Sequence, residues 1–209
     1  MENAIVPSII ATSPDEVANR IEKVKDYFKV LQLDVMDGKF VPTHSLDFEF
    51  RLPETDCSYE AHLMVSDPSE WIKKNFRMAD VIIAHLESCK DIKKVIELVK
   101  GKGKKAGIAI NPETKVEVIK PYLDKVDEVL VMTVNPGYYG SKFLPETLEK
   151  VKELRKLKPK LNIEVDGGIN SDNIKQAYGA GANLFVSGSY LQKSDDVKKA
   201  KQNLEMNFV

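Results

Sequence analysis

Eight short runs rich in Val and Ile recur along the chain, separated by longer segments rich in Lys and Glu. The runs cover residues 4–9, 30–36, 59–65, 80–87, 105–111, 128–134, 162–166 and 183–187. Each is the length of a strand, and apart from Pro7 none contains a proline. Stretches such as VIIA (81–84) and EVLVM (128–132) are nearly continuous in apolar residues. That pattern suits strands covered on both faces, as in a parallel sheet.

Most of the intervening segments read as helices. Ser13-Pro14-Asp15-Glu16 has capping-box spacing with proline at the first helical position. Val17, Ile21 and Val24 then mark one face. Asp67 is a second candidate cap, ahead of Pro68 and Glu70. Ile92, Val95, Ile96 and Val99 form another stripe, ended by Gly101 and Gly103. Helices are expected over 145–157, 171–178 and 195–206, and over 116–126, where Pro121 must break or kink the helix. Residues 43–56, bounded by prolines, give at most a short helix.

Strands and helices in strict alternation predict α/β architecture. An eightfold barrel and an open doubly wound sheet both fit. The count of eight and the absence of G-x-G-x-x-G after the first run favour the barrel. No linker, repeat or low-complexity tract divides the chain, so residues 1–209 read as one domain.

Composition narrows the function. Lys and Arg total 31 against 32 Asp and Glu, for a net charge of -1, and only four of the basic residues are arginines, Arg20, Arg51, Arg77 and Arg155. That argues against a nucleic-acid partner. No apolar run approaches a membrane span and the N-terminus lacks a secretory pattern. Two cysteines, Cys57 and Cys89, cannot build a disulfide framework. A cytoplasmic setting with no membrane partner is expected.

In a barrel of this kind, chemistry sits at the C-terminal ends of the strands. Strand alternation puts Gln32, Asp34 and Met36 together on one face of their strand, and Glu60, His62 and Met64 together on the matching face of theirs. Their neighbours Leu31, Leu33, Val35, Ala61 and Leu63 suit the helix side, so the polar members point inward. A buried charge there must be paired or metal-bound. Asp34 and Asp166, on the second and seventh strands, can face each other across the mouth, with His62 beside Asp34. Gly137–Gly140, Gly167-Gly168 and Gly188-Ser189 follow the last three strands. Glycine-bearing loops at that end free backbone amides to hold a phosphate. His85 reads as structural, or as a support behind the site.

With these residues in view, PSII near the start, LDVMDGKFVP, AHLMVSDP, MTVNPGYYGSKF, VDGGIN and VSGS resemble the signatures of the ribulose-5-phosphate 3-epimerase family, in that family's order and along nearly the whole chain. The resemblance implies a (β/α)8 TIM barrel of the ribulose-phosphate-binding type. It implies one divalent metal ion, with Asp34, His62 and Asp166 as ligands and the two aspartates as the acid/base pair. Zn, Fe, Mn, Co and Mg all remain open as its identity. Ser8, His62, Gly137, Tyr138, Tyr139, Gly140, Asp166, Gly167, Gly168, Gly188 and Ser189 would contact a small phosphorylated sugar, with Met36, Met64 and Met132 lining the site. A homo-oligomer is also implied.

Three positions depart from the family pattern. Gln32 stands where the family has a histidine ligand, and an amide oxygen is a weaker donor. Tyr139 stands where the family has glycine, and Lys39 replaces a common histidine. His44, in the loop after the second strand, is a remote replacement ligand. These departures leave open a six-carbon ketose phosphate as substrate, a sugar-phosphate-binding barrel without turnover, and a metal-free lyase or isomerase.

Overall fold

Pro7 has no amide hydrogen, and the first strand breaks there. In this computed structural model, which describes residues 2–137 and 141–208, β1 (Ala4–Val6) and β2 (Ser8–Ile9) flank the break. They pair with opposite ends of the same sheet. β1 runs parallel to β10 (Leu184–Val186), and β2 runs parallel to β3 (Val30–Asp37). Around the break, Val6 O accepts from Ser187 N–H and Pro7 O from Gln32 N–H, both at 2.9 Å.

The remaining strands fill the ring in sequence order. They are β5 (Ser58–Met64), β6 (Val81–His85), β7 (Lys105–Ile110), β8 (Glu128–Met132) and β9 (Asn162–Asp166), every neighbour parallel. The split strand closes the barrel, and the expected (β/α)8 TIM-barrel architecture is what forms.

Helices cover the outside. α1 (Pro14–Val24) buries Val17, Ile21 and Val24. Ser13 caps it by accepting from Glu16 N–H at 3.3 Å, while the Glu16 carboxylate reaches back past Ser13 to Thr12 N–H at 2.9 Å. α2 (Pro68–Asn75) starts on Asp67, which accepts from Glu70 N–H at 3.0 Å. α3 (Ile92–Gly101), α4 (Leu148–Leu157), α5 (Ile174–Ala180) and α7 (Val197–Glu205) follow, with a one-turn α6 (Ser189–Gln192) after β10. Leu31, Leu33, Val35, Ala61 and Leu63 join the helix faces in an outer core. A smaller inner core of Ile83, Ala109, Leu130, Met132 and Val134 fills the barrel.

One expectation needs correction, and one segment read as at most a short helix takes a different form. Residues 116–126 hold no α-helix: two separate 3-10 turns, Val116–Val118 and Lys120–Tyr122, stand there, with Pro121 opening the second. Residues 43–56 hold no helix either. They carry β4 (His44–Ser45), antiparallel to the end of β3, and Ser45 Oγ accepts from Ala11 N–H at 3.1 Å. That bond ties the segment over the barrel's closing seam.

Candidate active site

Asp34 of β3 and His62 of β5 stand side by side in register, as do Met36 and Met64 one step closer to the rim. Asp166 ends β9, level with Met132 of β8 and Val186 of β10. The barrel's curvature brings these strands round to one point. His62 Nδ1 lies 3.1 Å from both Asp34 Oδ1 and Asp166 Oδ2. Gln32 Nε2 donates to the same two oxygens, at 2.8 and 2.9 Å. Two carboxylates thus share two nitrogens. Gln32 and His62 are fully buried, and Asp34 is 3% exposed.

The electrostatics follow from that crowding. Burial raises the Asp34 pKa, and the nearby charge of Asp166 adds to the rise against the hydrogen bonds from His62 and Gln32. Burial would depress His62, but hydrogen bonds and charge from Asp166 and Asp34 outweigh it and bring the imidazole to about 9. With no other cation among them, the His62 imidazolium balances the aspartates.

His62 is held from behind. Its Nε2 is 2.8 Å from His85 Nε2, at the end of β6. His85 Nδ1 meets Glu87 Oε2 at 3.3 Å. Glu87 Oε1 accepts from Asn111 N–H at 2.8 Å and from the Thr114 hydroxyl. Burial would raise the Glu87 carboxyl, but these donors and the His85 charge hold it at about 2. Phe40 packs on the His85 ring, with centroids 5.0 Å apart.

One ligand atom from each of Asp34, His62 and Asp166 lies within 4.8 Å of the others. Two carboxylate oxygens and an imidazole nitrogen are a donor set for a divalent ion. Gln32 adds an independent sign. Its Oε1 is buried without a hydrogen-bond donor. Turned about, the amide would present Oε1 to the carboxylates, a repulsive arrangement unless a cation stands between them. The residues present therefore fit a metal ion.

Above this floor lies a cavity walled by Met36, Met64 and Met132. Ser8, Gly137, Gly167, Gly168, Gly188 and Ser189 form its rim, together with Ser141. Gly168 has φ +68°, and a Cβ there would stand 3.0 Å from Phe143 N. Gly188 is packed so closely on Ser8 that a Cβ would overlap the Ser8 hydroxyl. Both turns require glycine to keep the rim open. Tyr138, Tyr139 and Gly140 lie outside the described residues. Lys39 is exposed, and His44 points to solvent, paired with Asp47 at 2.6 Å.

Sequence reasoning left several side chains unassigned. Glu87 follows His85 by two residues at a strand end, and that H-x-E spacing was its one signal. Asp37 clamps two rim loops. It accepts from Ser66 N–H at 2.8 Å, from the Ser66 hydroxyl at 2.6 Å, and from Lys39 and Phe40 amides. Glu60, Glu128 and Glu164 form an acidic layer under the site, each with a ligand-type atom within 4.8 Å of the others. Alternation already turns Glu60 inward, and Glu128 and Glu164 share the phase of Met132 and Asp166 on their own strands, so the same rule could have placed them there.

Residues 4–192 match the model of the ribulose-phosphate 3 epimerase family. The ribulose-phosphate 3-epimerase of Bacillus subtilis strain 168 is 39% identical over 206 residues, covering 94% of this chain and 95% of that protein. The enzyme of the same name from Helicobacter pylori strain J99 is 37% identical, covering 96% of each chain. Among solved structures, a 3-hexulose-6-phosphate synthase superposes with a TM-score of 0.70 over 99% of this chain and 100% of its own, at 15% identity. The KGPDC of Streptococcus mutans gives 0.68 over 100% of this chain and 98% of its own, at 14% identity. Those two likenesses speak to the fold. No described helix is long and apolar enough to cross a membrane. By sequence along nearly its whole length, the chain belongs to the ribulose-phosphate 3-epimerase family and is an isomerase acting on carbohydrates.

Proposed function

We propose that this protein interconverts the C3 epimers of a ketose phosphate, D-ribulose 5-phosphate and D-xylulose 5-phosphate, by proton transfer between two carboxyl groups. The observation that carries the reading is the approach of Asp34 and Asp166 from different strands to the same two nitrogens, Gln32 Nε2 and His62 Nδ1, beneath one cavity.

Epimerisation beside a ketone removes a proton from one face of C3 and returns one to the other. One aspartate, ionised, takes the proton. The C–H electron pair moves into the C2 carbonyl to give an enediolate. The other aspartate, protonated, delivers its proton from the opposite face, and the two roles exchange in the reverse direction. Burial and the neighbouring charge of Asp166 raise the Asp34 pKa, which favours proton uptake by that carboxyl over an ordinary exposed aspartate. Met36, Met64 and Met132 exclude water from the carbanion. The loops carrying Gly137, Gly168, Gly188 and Ser189 hold the phosphate, with Ser8 at the sugar. Asp34, His62 and Asp166 would hold one divalent ion, with Gln32 joining through Oε1. When bound, that ion supplies Lewis-acid stabilisation of negative charge on oxygen.

Incubation with D-ribulose 5-phosphate in deuterated water tests the reading. Deuterium should enter at C3 alone, as xylulose 5-phosphate appears. No exchange at C3 with Zn, Fe, Mn, Co or Mg supplied in turn would overturn it.

A further inference from the structure

The His62–His85–Glu87 chain is fully buried at its two histidines and is not itself part of the proton transfer to C3. Its donors and acceptors can be counted. Glu87 Oε1 already accepts from Asn111 N–H and the Thr114 hydroxyl, so Oε2 faces His85 Nδ1 as an acceptor. His85 Nδ1 must therefore carry a hydrogen. The two Nε2 atoms, 2.8 Å apart, hold one proton between them. Were a cation to take the Nδ1 lone pair of His62 and that proton lie on His85, His62 would be left an imidazolate beside two carboxylates. The proton belongs on His62 Nε2.

We propose that Glu87 and His85 are positioning residues that fix the proton of His62 on Nε2, so that Nδ1 is the one nitrogen offered to a divalent cation between Asp34 and Asp166. The inference rests on the metal reading given above. It extends the site some way behind its floor, to the loop after β7 that supplies Asn111 and Thr114. A histidine ligand whose far N–H is held by an acceptor is more basic and is locked in orientation.

Glu87→Gln reverses the chain without changing its shape. Asn111 N–H still demands an oxygen, so the new amide turns its NH2 toward His85 Nδ1. His85 must then accept at Nδ1 and donate from Nε2. His62 accepts at Nε2 and is left with its hydrogen on Nδ1, where the cation should bind.

The test uses imidazole 1H–15N correlation spectra and Zn2+ titration of the full chain. Only three histidines are present, and His44 is removable by His44→Gln to settle assignment. Wild-type protein loaded with Zn2+ should show His62 protonated at Nε2 and bound at Nδ1, with His85 protonated at Nδ1. Glu87→Gln should move the His85 hydrogen to Nε2 and weaken Zn2+ binding by roughly 10- to 100-fold. A wild-type His85 protonated at Nε2, wild-type protein that takes up no Zn2+, or a folded Glu87→Gln variant with unchanged affinity would each overturn the proposal. The wild-type spectrum decides it even where the variant fails to fold. C3 exchange is read separately. Its absence together with the expected tautomers would sink the epimerase reading and leave this one standing.

Discussion

An amide at position 32 gives the two carboxylates a neutral donor, whereas an imidazole would give a cation a strong ligand. Gln32 Nε2 spans Asp34 and Asp166 at 2.8 and 2.9 Å, and its Oε1 has no donor. Gln32→His should therefore tighten Zn2+ binding by about tenfold or more, measured by competition with a chelating dye. Unchanged affinity would mean that position 32 does not reach the ion. Asp34→Asn and Asp166→Asn should each lower kcat by at least about 100-fold with the circular dichroism spectrum intact, since each removes one of the two proton carriers. Alternation within two strands was enough to put Asp34 and His62 on one face, because the period of two is strict. The His85–Glu87 support was not legible in the same way. It depends on a side chain in the loop beyond a strand end, on a backbone amide from the next loop, and on a ring-to-ring distance that no spacing encodes.

Elements are joined as well as formed by single side chains, and Arg155 near the end of α4 is the clearest case. It donates to Gly181 O at 2.8 Å, Leu161 O at 2.7 Å, Pro159 O at 3.1 Å and Asn183 Oδ1 at 3.0 Å. Asn183 Oδ1 in turn accepts from Ile163 N–H at 2.9 Å. One planar fork thus ties α4 to the start of β9 and to the turn entering β10. Arg155→Ala should cost about 2–4 kcal/mol in urea unfolding, because several half-buried carbonyls lose their donor together. Arg155→Lys should recover little of it, since one ammonium cannot reach four acceptors in a plane. The alternation of strand and helix was readable because buried strands and amphipathic helices leave different periods. Irregular pieces were not. Residues 116–126 carry enough apolar residues for a helix, but Pro121 divides them into 3-10 turns. Residues 43–56 take their form from a long-range bond, Ser45 Oγ to Ala11 N–H, which local propensity does not contain.

Taken as a whole, the barrel stacks an acidic layer beneath its acidic site, and that sets how the molecule responds to pH. Burial pushes Glu60 up to about 7, helped by the charges of Asp166 and Asp34, and pushes Glu128 and Glu164 well above their ordinary range, with the charge of Glu60 adding to both. Space for Glu128 comes from Gly107, where a Cβ would stand 3.1 Å from the Glu128 Cγ. These carboxyls are stable in the fold as neutral acids. A group whose folded pKa is raised binds its proton more tightly in the native state, so its stabilisation is full below the unfolded value and fades as pH rises through the folded one. For Glu60 the loss runs from about 4.5 to about 7. His62, raised to about 9, has the same sign over a higher window, from about 6.5 upward. Glu87, held at about 2, has the opposite sign: its contribution is full above about 4.5 and goes as pH falls toward 2. Stability without added metal should therefore peak near pH 5 and decline toward pH 8, by on the order of 1 kcal/mol for each pH unit over which a group titrates. Glu128→Gln removes one charge from the layer while keeping its shape and polarity. It should flatten the alkaline decline in thermal unfolding and leave the acid limb, to which Glu87 and Asp37 both contribute, where it was. If the wild-type curve is level from pH 5 to pH 8, or the variant's slope matches it, the three glutamates are not held as neutral acids in the folded barrel.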